Sequence, residues 1–83
     1  MTQNLPLARI AASHLFSDVE ALVFKGQGPV GEQIYTGTRR GKLGTVTVTV
    51  NPNGAKAAVE WKSKRNTDYR IFKVEDLPLE ELQ

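Results

Sequence analysis

Thr45-Val46-Thr47-Val48-Thr49-Val50, followed by Asn51-Pro52-Asn53-Gly54, is the stretch that decides the fold. Side chains alternate between faces along a strand, so the valines fall on one face and the threonines on the other, as in a strand with one side buried. Pro52 presets the φ angle wanted at the second position of a type I turn, and Asn53 tolerates the third. Gly54 then takes the left-handed conformation that closes a bulged hairpin. On the return strand, residues 55–62, Ala55, Ala57, Val59 and Trp61 share one face while Lys56, Ala58, Glu60 and Lys62 share the other. Trp61 therefore lies on the side of the valines.

Outward from this hairpin, a polar loop over residues 63–68 leads to a last strand over residues 69–74. Glu75-Asp76-Leu77-Pro78 then reads as a helical turn ended by its proline. Upstream, the basic run Thr38-Arg39-Arg40-Gly41-Lys42 is preceded by extended segments at residues 32–36 and 19–24, separated by a loop containing Gly26, Gly28, Pro29 and Gly31. Leu7, Ile10, Ala11 and Leu15 recur at helical spacing, which predicts a short amphipathic helix over residues 7–16. Four or five short antiparallel strands joined by turns make a mainly β domain, a small barrel or a strongly bent sheet, with a short N-terminal helix. The chain divides into an N-terminal extension, residues 1–18, a barrel, residues 19–77, and an acidic tail, residues 78–83.

The 83 residues, 40% hydrophobic and without cysteine, suffice for one small domain. They leave no room for a two-domain cofactor enzyme, no disulfide framework, and no apolar run of the roughly 20 residues that span a bilayer. Residues 1–6 carry no charged side chain and so lack the basic start of a secretory leader, which makes a cytoplasmic location the default expectation. A domain of this size buries only about 60% of the surface its unfolded chain exposes, which leaves oligomerisation open.

Motifs that promise chemistry fail on their surroundings. Gly26-Gln27-Gly28-Pro29-Val30-Gly31 spells Gly-x-Gly-x-x-Gly, but no helix of useful length follows and no acid stands near residues 46–50, so it reads as a loop between strands. Thr36-Gly37-Thr38-Arg39-Arg40-Gly41-Lys42-Leu43 is one residue short of a phosphate loop, and Leu43 stands where a magnesium-binding hydroxyl is needed. His14 is the only histidine, and with no cysteine the chain offers no metal-ligand spacing. No catalytic residue, metal or cofactor is expected.

Charge says more. The net +2 conceals nine bases against two acids over residues 39–73, a local +7, followed by four acids and no base from Glu75 onward. Arg39, Arg40, Lys42, Lys62, Lys64, Arg65 and Arg70 are the candidates for contact with nucleic-acid phosphates, and Tyr35, Trp61 and Tyr69 are the candidates for stacking on bases or lining a groove. The alternative is a protein-binding adaptor or homo-oligomeric scaffold, in which the uncharged Val/Thr ribbon offers a strand edge, or the aromatics a groove. No membrane partner is expected.

The run Gly41-Lys42-Leu43-Gly44-Thr45-Val46, the hairpin ending in Val59-Glu60-Trp61, then Tyr69 and the closing Val74-Glu75-Asp76-Leu77 resemble small SH3-like barrels of the KOW and Tudor-like type. The resemblance covers about residues 41–77 and implies five short strands and a non-catalytic module that binds RNA, DNA, ribosomal surfaces or protein tails. Tyr69-Arg70-Ile71-Phe72 also resembles the Val-Gln-Ile-Tyr pore segment of type II dihydrofolate reductases, barrels of similar length. Only Ile71 is shared, and Arg70 replaces the glutamine that handles cofactor and substrate there, so the expectation stays with a binding module and not an enzyme.

Overall fold

The structure is a computed structural model and describes residues 5–78. Its elements run α1 (Leu5–Leu15), β1 (Val19–Gln27), β2 (Gln33–Arg39), β3 (Lys42–Val50), β4 (Lys56–Lys62), β5 (Thr67–Lys73) and a 3-10 turn (Val74–Asp76). The chain is mainly β: five antiparallel strands form one sheet in sequence order, preceded by one short helix. Residues 79–83, most of the acidic tail read from the sequence, lie outside the described residues.

The β3–β4 hairpin forms where the alternation demands it. Val46, Val48 and Val50 stand opposite Trp61, Val59 and Ala57, and all six are buried. Gly54, at φ +72°, donates its N–H to the Asn51 carbonyl at 2.9 Å, while the Asn51 side-chain oxygen accepts the Lys56 N–H at 2.9 Å. The same face continues into β2, where Tyr35 opposes Val48 and Gly37 opposes Val46.

Strand ends differ most from expectation. β1 runs on through Gly26 to Gln27, β2 extends to Arg39, and β3 begins at Lys42, so the basic run is itself the tip of a hairpin. Ladder bonds come from the backbone, so polar residues join a strand once a neighbour is in register, whatever their own propensity. β1 also carries two register shifts, between Glu20 and Val23 and between Phe24 and Gly26. At Gly37 a Cβ would lie 2.9 Å from the Glu20 carbonyl oxygen and 3.0 Å from the Leu22 Cα, so this glycine lets β1 press onto β2 beside the first shift. The glycine loop closes on itself: the Gly28 N–H donates to the Glu32 carbonyl at 2.8 Å, and the Val30 N–H to the Glu32 carboxylate at 3.0 Å. These amides serve the turn between β1 and β2.

Helix α1 lies across one face of the sheet, touching β1, β3 and β4. It buries Leu7, Ala8, Ile10, Ala11 and Ala12 in the same core as Leu22, Tyr35, the valines and Trp61. The three alanines are fully covered, and their small size lets the helix approach the sheet closely. Just beyond α1, Phe16 meets the edge of Trp61 at a centroid separation of 6.3 Å. Among the described residues β1 and β5 each pair with a single neighbour, so both are edges.

Candidate functional site

In a meander every second turn falls at the same end of the sheet. The β2–β3 turn and the β4–β5 turn, about 25 residues apart in sequence, therefore stand together and flank an open groove of about 840 Å³. Arg39, Lys42, Lys62, Lys64 and Arg65, five of the seven bases expected to meet phosphate, line it. Trp61 and Gly44 form its floor, Asp68 is its acidic wall, and Leu43, 94% exposed, stands at its lip.

Each wall has a local cause. A Cβ on Gly44 would sit 2.6 Å from both the Trp61 Cη2 and the Lys62 carbonyl oxygen, so only glycine lets the indole lie against β3 here. The β4–β5 turn is tied by Ser63, whose N–H donates to the Asn66 carbonyl at 2.9 Å and whose Oγ accepts the Asn66 N–H at 3.1 Å. This turn carries Lys64 and Arg65, both exposed. Lys42 and Lys62 come from the facing ends of β3 and β4.

Arg39 has a different task. Its Nε donates to Asp18 Oδ1 at 2.8 Å, and its Cζ lies 4.1 Å from the centroid of Phe16 and 5.0 Å from that of Trp61. The hydrogen bond from Arg39 holds the Asp18 carboxyl below its ordinary pKa against a partial desolvation that works the other way, with the charges of Arg39 and Lys42 adding to the lowering. The backbone N–H of Arg40 also donates to the Asp18 carbonyl, at 2.9 Å. Arg39 thus fastens the groove's floor to the start of β1, and only part of it faces the groove.

The other expected residues divide. Arg40 pairs with Glu20 at 3.1 Å on the exposed β1 side, outside the groove. Arg70 is exposed on β5 opposite Val59, also outside it. Of the candidates for stacking or for lining a groove, Tyr35 is corrected in both roles and Trp61 as a stacking platform only: the strand register turns both toward α1, leaving Tyr35 fully buried with its hydroxyl donating to Gln33 Oε1 at 2.6 Å, and Trp61, although it borders the groove, only 4% exposed. Tyr69 is 60% exposed on the opposite face of the sheet and forms no part of the groove. Leu43 and Asp68 are groove residues beyond those expected from the sequence, although extending the Val/Thr alternation back two residues from Thr45 places Leu43 on the open face.

Ammonium and guanidinium groups are donors without acceptor capacity, so the groove suits anionic oxygens. Among the described residues no three His, Cys, Asp or Glu gather to hold a metal ion, and no helix is long and apolar enough to cross a membrane. Comparison with family models, with curated proteins and with solved structures finds no match for this chain.

Proposed function

We propose that the protein is a non-catalytic module that holds nucleic acid by its phosphate backbone in the groove between the β2–β3 and β4–β5 turns. The observation that carries this reading is the convergence of Lys42, Lys62, Lys64 and Arg65, from separate strands and turns, on one open groove. The resemblance of residues 41–77 to KOW and Tudor-like barrels implies RNA, DNA, ribosomal surfaces or protein tails as partners, a range that includes the one proposed. With Tyr35 and Trp61 turned inward, the groove offers cations and little aromatic surface, so the contact is to backbone charge and its sequence preference is low.

Fluorescence anisotropy with labelled single-stranded and duplex probes tests the reading. Binding at low salt weakens steeply as salt rises, because each neutralised phosphate releases counterions. The double change Lys64→Ala, Arg65→Ala lowers the slope of log K against log salt by about 1.4 on a single strand and about 1.8 on a duplex, whereas Arg40→Ala leaves it nearly unchanged. Absence of binding to either probe at low salt refutes the proposal.

A further inference from the structure

The two edges of the sheet are unlike. β1 breaks its ladder twice, and such irregularity discourages another strand from pairing. β5 keeps an unbroken register with β4 from Lys56 opposite Lys73 to Lys62 opposite Thr67, holds no proline, and is exposed at every residue except Phe72. Tyr69 and Ile71, 60% and 55% exposed, point to the face away from α1, while Asp68 and Arg70 share the α1 side, opposite Trp61 and Val59.

We infer that β5 is a homodimerisation edge, pairing antiparallel with β5 of a second copy about a two-fold axis at Tyr69. Such an axis stands normal to the joined sheet and keeps each face on its own side, so it must lie between the two strands, midway between two copies of the same residue. Centred on Arg70, all of β5 pairs but two guanidiniums meet on the same face. Centred on Ile71, Arg70 meets Phe72 and no opposite charges pair. Centred on Tyr69, Asp68 of each copy opposes Arg70 of the other, the two tyrosines lie side by side, and Ile71 packs on Thr67. Opposite charges directly across a ladder favour pairing and like charges oppose it. Inward-facing charges on an edge strand usually repel any partner strand. Here the order Asp68-Tyr69-Arg70 makes them complementary to their own copy, so they exclude other strands and admit this one.

The chain contains no cysteine, so a single introduced thiol reports the register. Directly opposed residues have Cα atoms about 4.5–5.5 Å apart, within reach of a disulfide. Oxidised Tyr69→Cys therefore runs as a covalent dimer on a non-reducing gel. Ile71→Cys does not, because its two thiols lie about four residues, roughly 13 Å, apart along the strands. In sedimentation the wild type is a dimer, Arg70→Asp weakens association at least about tenfold by setting acid against acid, and Asp68→Arg with Arg70→Asp restores it. Circular dichroism checks that each variant is folded. A wild type that stays monomeric at about millimolar concentration, preferential cross-linking through position 71, or a dimer indifferent to Arg70→Asp overturns the inference. Asp68 also borders the phosphate groove, but one copy forms that groove alone, so the wild-type oligomeric state, the cross-linking register and the effect of Arg70→Asp are read independently of phosphate binding.

Discussion

At the scale of single residues, the guanidinium of Arg39 sits against the rings of Phe16 and Trp61 and is tied to a carboxylate 21 positions away in sequence. The planar, permanently charged arginine head is suited to this place: it lies on ring faces and donates in its own plane, which a lysine ammonium does not. The partnership has a pH signature. Asp18 has its pKa lowered by folding, chiefly through the Arg39 hydrogen bond, so its contribution to stability is fully present above the ordinary value of 3.8 and is lost as pH falls through the lowered value. Asp18→Asn should therefore be less stable than wild type near neutral pH, and the difference should shrink on acidification. Urea midpoints measured from about pH 7 to about pH 2 test this, since curves that stay parallel would separate Asp18 from the acid dependence.

Among the elements, β3–β4 and β1 are opposite cases. The hairpin was legible because one face of each strand is buried: apolar residues had to alternate, and Asn51, Asn53 and Gly54 supply the turn its geometry needs. β1 was only half legible, because Ala21 at φ +57° sits inside a register shift that no residue type announces. A left-handed alanine costs roughly 1–2 kcal/mol, while glycine there would lose more conformational freedom on folding. Ala21→Gly should thus raise stability by a net of about 0.5–1 kcal/mol, read as a higher urea midpoint with unchanged slope. A lower midpoint would mean that the alanine methyl makes contacts worth more than the strain. The same limit applies to the aromatics. Side-chain parity put Trp61 with the valines, yet aromatic type alone nominated Trp61 and Tyr35 as stacking platforms, and only the register of β2 against β3 decides that Tyr35 faces Val48.

For the molecule as a whole, charge arithmetic foretold a basic region but not its place. A +7 stretch 35 residues long says nothing of which bases converge, and it was meander topology that gathered Lys42, Lys62, Lys64 and Arg65 at one end while leaving Arg70 on an edge strand. The division into helical extension and barrel expected from the sequence raises a related question of cooperativity. Ile10 and the three buried alanines of α1 belong to the core that contains Val48, Val59 and Trp61, and Phe16 and Arg39 connect the helix's end to the groove's floor. A sheet with one face stripped of α1 would expose Val46, Val48, Val50 and Val59 together, an apolar surface that a folded domain does not leave to water. Helix and sheet should therefore unfold as one unit. Ile10→Ala should cost about 2–4 kcal/mol, a large share of the stability of so small a domain, and should move the helical circular dichroism transition and the fluorescence transition of Trp61, the chain's single tryptophan, by equal amounts. A helical signal lost well before the tryptophan signal changes would show that α1 docks onto a sheet already able to stand alone.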